Sequence, residues 1–214
     1  MGDGPSSKRL PMFPLGTVLV PSAGLPLHVF EPRYRALVRD CLQGDAEFGV
    51  VLIERGSEVG GEDVRTDAGT IARILDAVEL PDGRWALATV GVRRFRVDRW
   101  LPDDPYPLAE VQDWPDPVPG PGFGDALAEC VALLRRALGL AAEAGDSAAR
   151  ATVELAEDPV LASYQAIAVA PLGSFDRQRL LIAATPEERV AALAELLRDA
   201  ISVLELRLGG PDDQ

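Results

Sequence analysis

Apolar positions in the first half of the chain fall in short runs cut by proline and glycine. Residues 12–20 and 25–30 are two such runs, broken by Pro14, Pro21 and the Ser22-Ala23-Gly24 turn. Runs of this kind predict strands at the rim of a sheet, because proline lacks the N–H that a central strand donates. Glu31-Pro32 then predicts a helix start, since the first turn has N–H groups without partners in any case. Tyr34, Leu37, Val38, Cys41 and Leu42 recur at helical spacing and give that helix one apolar face. Gln43-Gly44-Asp45 stops it, and residues 47–54, EFGVVLIE, read as a buried strand. Residues 55–68 are polar and glycine-rich, an exposed loop. In residues 69–80 the β-branched Thr70, Ile71, Ile74 and Val78 favour strand, and Pro81-Asp82-Gly83 turns the chain into a returning strand at 85–92. Within 91–100, GVRRFRVDRW, Phe95 and Val97 alternate with Arg94, Arg96 and Asp98, as in a strand with one buried face. A last strand near 108–111 precedes Trp114.

Residues 115–122, PDPVPGPG, hold four prolines and two glycines and mark a junction, after which the apolar period changes. Asp125 can cap a helix running to Leu140, with Leu127, Val131, Leu134 and Leu138 on one side. A second helix is expected from 146 to 157, a third from Asp158-Pro159 to Ala170, and a short fourth over 176–184. Thr185-Pro186-Glu187-Glu188 is a capping box with proline at the first helical position, opening a last helix to Leu208. The expected architecture is α+β. Its parts are a tail at 1–9, a mixed β-barrel with one early helix at 10–115, a Pro/Gly linker at 116–121, a helical bundle at 122–208 and a tail at 209–214.

Three stretches carry a family resemblance. PLG-x-VL-x-P at 14–21 runs into LPLHVFEPRYRALV at 25–38; V-G-x-x-RFRV follows at 90–97; SYQAIAVAPLGSFDRQRLLIAATPEERVAALAELL lies at 163–197. Together they resemble the N-terminal, substrate-recognition domain of the Lon proteases in its stand-alone form, over about residues 10–208. The resemblance implies a PUA-like barrel followed by a helical bundle, used to bind proteins and not to cut them. It also implies protein clients in unfolded or extended form, and a separate ATPase or protease as a possible partner.

Composition narrows the chemistry. Net charge is −13: residues 1–117 carry 13 Lys/Arg against 19 Asp/Glu, and residues 118–214 carry 8 against 15. Such a surface repels phosphate backbones, which disfavours nucleic acid as a partner. No apolar run approaches the roughly 20 residues of a membrane span, and the polar MGDGPSSKRLPM start is unlike a signal peptide, so a cytoplasmic protein is expected. Cys41 and Cys130 sit in apolar helical patterns and read as reduced core thiols. Two thiols and one distant histidine cannot make a tetrahedral metal site, so neither metal nor cofactor is expected.

Catalysis has little to stand on. The sequence contains no G-x-x-x-x-G-K-[ST] loop to cradle phosphates, and its single lysine, Lys8, lies in the expected tail, away from any Ser–Lys pair. Gly56, Gly60 and Gly61 have part of a phosphate-loop spacing, but Glu62 and Asp63 follow where a lysine and a hydroxyl are needed. His28 is the sole histidine and sits in an apolar strand, with Leu27 and Val29 on the opposite face; a rim histidine tied to Glu31 is the plainer reading.

Two constellations remain for binding. Pro21, Leu25, Arg33 and Tyr34 border an apolar edge where an extended peptide can add to the sheet; alternatively Pro21 shapes the turn and Tyr34 packs the helix. Recognition at this edge, or in a groove between the two halves, is the leading expectation. Arg93, Arg94, Arg96 and Trp100 form a basic and aromatic segment that can grip RNA or a nucleotide; alternatively its arginines pair with Asp98, Asp103 and Asp104. A hydrolase or ligand pocket has no constellation behind it.

Overall fold

A computed structural model of the chain describes residues 7–55, 64–146 and 154–209. Its elements in order are β1 (Lys8–Leu15), β2 (Gly24–Val29), α1 (Pro32–Gln43), β3 (Glu47–Arg55), β4 (Val64–Glu79), β5 (Trp85–Leu101), β6 (Leu108–Asp113), α2 (Phe123–Glu143), α3 (Pro159–Val169), α4 (Ser174–Leu181) and α5 (Pro186–Leu208). They fall into two units, Met1–Pro115 and Asp116–Gln214. The fold is α+β, a mixed barrel with one early helix and then a helical bundle.

The sheet runs β2-β5-β4-β3-β1-β6, and β5 also pairs with β6, so five strands close on themselves and β2 is left outside the ring. β5 is long enough to serve two neighbours in turn: residues 85–90 pair with β2, whereas 95–101 pair with β6. β1 divides in the same way, residues 8–11 lying antiparallel to β6 and 12–15 parallel to β3. Each half of β1 thus has one strand partner, which accommodates Pro11 and Pro14 without opening a two-sided ladder. The rim position expected for both early runs therefore holds for β2 alone. β1 also begins at Lys8, inside the expected tail, because Lys8 pairs with Val111 and its ammonium reaches Asp45 at 2.7 Å.

Alternating side chains feed two cores. Leu10, Met12, Val51, Ile71, Phe95, Ala109 and Val111, drawn from all five ring strands, fill the ring. Phe13, Val50 and Ala72 point the other way, under Tyr34, Leu37, Val38 and Cys41 of α1. A strand buried on both faces loses its polar alternation, which is why β3 reads as the continuous run FGVVLI. Leu42, expected on the apolar face of α1, is instead 42% exposed.

In the second unit α2 and α5 run parallel: Gly120, just before α2, meets Glu187 near the start of α5, and Arg136 meets Glu205 towards their ends. Leu127, Cys130, Leu134 and Leu138 of α2 and Val190, Leu193, Leu197 and Ile201 of α5 are buried. Asp158 and Thr185 cap α3 and α5 by accepting the N–H groups of Leu161 and Glu188 at 2.8 and 3.1 Å. α2 starts three residues earlier than expected, at Phe123 after a left-handed Gly122, so Asp125 lies in its first turn and is not its cap. The helix expected over 146–157 falls largely on residues outside those described, and residues 154–157 are not helical. Of the loop expected over 55–68, residues 56–63 lie outside the described residues, whereas Arg55 ends β3 and 64–68 already belong to β4. Among the described residues no helix is long and apolar enough to cross a membrane.

Candidate functional site

The turn that leads into β2 is fastened by main-chain bonds. Ser22 N–H donates to the Gly91 carbonyl at 2.8 Å, and Gly91 N–H donates to the Ala23 carbonyl at 2.9 Å. The Thr70 hydroxyl donates to the Leu19 carbonyl at 2.6 Å. Position 91 must be glycine, because a Cβ there would lie 2.3 Å from the Val20 carbonyl oxygen. Ser22 itself holds a φ of 62°, and Pro21 is buried within the turn.

Among the described residues β2 pairs only with β5, so its other side is a sheet edge. The Leu25 carbonyl turns towards β5, where it accepts the Thr89 hydroxyl at 2.6 Å. Main-chain groups point to alternate sides along a strand, so those of Gly24, Pro26 and His28 point away from β5. Proline at 26 consequently interrupts no ladder. The side chains divide too: Leu25 and Leu27 are half-buried against the core beneath α1, whereas Pro26 and His28 are exposed.

A cavity of about 100 Å³ lies beside this edge, walled by Phe13, Leu15, Leu27, Phe30 and Tyr34, with His28 and Glu31 at its margin. Tyr34 is 3% exposed and stacks on Phe13 with ring centroids 4.1 Å apart. Arg33 lies 4.5 Å from the centre of the Tyr34 ring and donates to Glu31 at 3.1 Å. That bond engages the carboxylate expected to hold His28. Phe30, at the end of β2, is 55% exposed. The structure thus brings Leu25, Arg33 and Tyr34 around one edge, with Pro21 inside the turn that sets it. An added strand would meet main-chain carbonyls at Gly24, Pro26 and His28, N–H donors at Gly24 and His28, and an apolar recess for one side chain.

The arginine segment is arranged differently. Arg93 donates to both oxygens of Glu47, at 3.1 and 3.0 Å, and to Asp113 at 3.0 Å. Arg94 is 2% exposed, with its guanidinium 4.3 Å from the Trp114 ring centre, and Arg96 lies over the same ring at 3.5 Å. Arg99 donates to Glu110 at 2.8 Å, while Trp100 Nε1 donates to Asp67 at 3.0 Å beneath Arg65. Among the described residues Arg93 and Arg99 pair with Glu47, Asp113 and Glu110 and not with the neighbouring Asp98, Asp103 and Asp104, because strand pairing delivers those carboxylates from β3 and β6. Burial works against the Glu47 carboxylate, but the bonds from Arg93 and Arg73 outweigh it and hold its pKa below the ordinary value.

Both cysteines are buried and unbridged. Burial, and for Cys41 the nearby Asp40, pushes its thiol up to about 12; burial pushes Cys130 up to about 11. Neither is a thiolate near neutral pH. Among the described residues no group of three or more His, Cys, Asp and Glu is placed to hold a metal ion.

Sequence reasoning missed Phe13, Leu27 and Phe30 as walls of the recess, although the alternation in LPLHVF already sorted Leu27 inward. It also missed Arg189, fully buried in α5, which donates to Asp116 and to the Ser163 hydroxyl at 3.0 Å and stacks on Tyr164 at 3.8 Å. Tyr164 completes the set by donating to Asp116 at 2.7 Å. These partners are remote in sequence, and nothing local in PEERV marks its arginine as buried.

Residues 9–199 match the family of the ATP-dependent protease La (LON) substrate-binding domain. Lon protease 2 of Herpetosiphon aurantiacus is 30% identical over 202 residues, 92% of this chain and 24% of that protein. Lon protease 1 of Myxococcus xanthus is 24% identical over 92% of this chain and 25% of its own length. The chain therefore spans about a quarter of the length of these relatives. A crystal structure of a Lon N-terminal domain protein from Xanthomonas campestris superposes with a TM-score of 0.64 at 32% identity, covering 88% of this chain and 98% of that one. The N-terminal domain of a Mycobacterium avium complex Lon protease shares the fold, with a TM-score of 0.65 at 20% identity over 90% of this chain and 99% of that one.

Proposed function

From this chain's membership of the Lon substrate-binding domain family, we propose that it is a non-catalytic cytoplasmic module that captures unfolded or extended protein segments by strand addition at β2. The observation that carries the reading is the open main-chain edge at Gly24, Pro26 and His28, next to an apolar recess of about 100 Å³. A client strand gains affinity from main-chain hydrogen bonds, which any sequence offers, and selectivity from the one side chain that enters the recess. That division suits a protein that must hold many different unfolded chains. A separate ATPase or protease would then receive the captured segment.

His28→Pro tests this reading. The substitution removes an N–H that faces away from β5, so it leaves the β2–β5 ladder intact while deleting a donor to the guest strand. Binding of a reduced, carboxymethylated unfolded protein is expected to weaken about tenfold, roughly 1.4 kcal/mol, with the unfolding midpoint close to that of the parent. Unchanged affinity in a folded His28→Pro protein would contradict strand addition at this edge.

A further inference from the structure

The helical unit carries a groove whose lining points to a partner of different chemistry, and it stands independently of the β2 edge. α2 and α5 lie parallel, and between their N-terminal halves runs a recess of about 530 Å³. Ala126 and Leu133 of α2 and Val190, Ala191 and Ala194 of α5 supply its floor. The stretch from 123 to 133 covers about three turns, roughly 16 Å at 1.5 Å per residue. Alanines at the floor let another backbone approach closely, as in packing between helices. The rim is acidic: Glu129, Glu187 and Glu195 stand there, against Arg198. Glu187 spends one oxygen on the Gly120 N–H at 2.6 Å, whereas Glu129 and Glu195 are exposed on opposite walls.

Charge selects among the possible occupants. A second copy would bring another acidic surface, since residues 118–214 carry 8 basic against 15 acidic side chains. An acidic or strand-like segment would face repulsion at both walls or leave its main chain unpaired between two helices. A helix satisfies its own main chain, and lysines or arginines beside its apolar stripe meet both walls at once. We infer that the α2/α5 groove docks a basic amphipathic helix of three to four turns, contributed by a partner protein.

The test uses the full chain, with alanine methyl groups isotopically labelled, and two synthetic 14-residue peptides. Both carry leucines at helical spacing; one flanks them with lysines, the other with glutamates. The lysine peptide is expected to shift the methyl resonances of Ala126, Ala191 and Ala194, with affinity falling as salt rises. Ala191→Trp, an exposed position that the substitution fills, is expected to weaken it at least tenfold. Glu129→Lys with Glu195→Lys is expected to weaken it several-fold, and the glutamate peptide should bind at least tenfold less well than the lysine peptide. Absence of binding by the lysine peptide, equal affinity for both peptides, or shifts confined to residues outside the groove would overturn the inference.

Discussion

The β2 edge and the arginine wall of the same barrel differ in what each still has to bond. Along the segment from Arg93 to Trp100, each polar side chain named as a binding candidate is engaged within the barrel: Arg93 by Glu47 and Asp113, Arg94 and Arg96 by Trp114, Trp100 by Asp67. Along β2 the side chains are largely apolar, yet the main chain of Gly24, Pro26 and His28 faces away from β5. A basic composition here therefore marks side chains held largely by carboxylates and rings of the barrel, and an apolar run with a proline marks a strand whose main chain has one side turned from its neighbour.

The largest expected effect comes from breaking the turn that places β2. Gly91→Val puts a side chain against the Val20 carbonyl and should cost about 2–3 kcal/mol of stability. Client binding should fall further than that loss of folded protein accounts for, since β2 loses its anchor. Denaturant unfolding and binding measured on the same sample check this. Full binding by a folded Gly91→Val protein would separate the turn from the edge.

The next effect belongs to the wall. Glu47 is 8% exposed and accepts from Arg73 and Arg93, so Glu47→Gln should lower stability by about 2 kcal/mol at neutral pH. Its folded pKa lies below the ordinary 4.5, so its contribution is present above that value and lost as pH falls through the lowered one. The parent should lose stability on acidification below about pH 4.5 more steeply than Glu47→Gln does, which acid titration of the unfolding midpoint reads. Once folded, the variant should bind clients like the parent. Parallel acid limbs would remove Glu47 from the account.

The smallest effect is expected where the arginines are most exposed. Arg96→Ala with Arg99→Ala should change stability by under about 1 kcal/mol, the usual worth of exposed ion pairs, and leave client affinity unchanged. Salt-sensitive RNA binding by the parent that this pair of substitutions abolishes would reverse the ranking of the two surfaces.

How much of this was legible in the sequence follows from how local each signal is. The Thr185 cap, Pro159 after Asp158, and the buried run of β3 are decided within a few residues, and the structure shows them directly, although Glu188 returns its bond to the Ala184 N–H and not to that of Thr185. The β2 edge was half legible: Pro26 marks a strand side without a neighbour, but only the ring closure between β5 and β6 shows that β2 is the strand left out. The recess beside it draws Phe13 from β1 and Tyr34 from α1, and their stacking depends on how α1 covers the sheet. Glu47 and Arg189 were illegible because their partners arrive from far along the chain, Glu47 accepting from Arg93 and Arg189 donating to Asp116. A charged residue in an ordinary polar context carries no local sign of burial.

Amide hydrogen exchange on the full chain, with and without a saturating carboxymethylated unfolded protein, bears most directly on the β2 edge. The outward N–H groups of Gly24 and His28 should gain protection in the complex. The inward Leu25 and Leu27, already bonded to β5, should change little, and Arg93 to Trp100 should exchange as in the free protein. New protection along the arginine wall, with Gly24 and His28 exchanging as before, would contradict it.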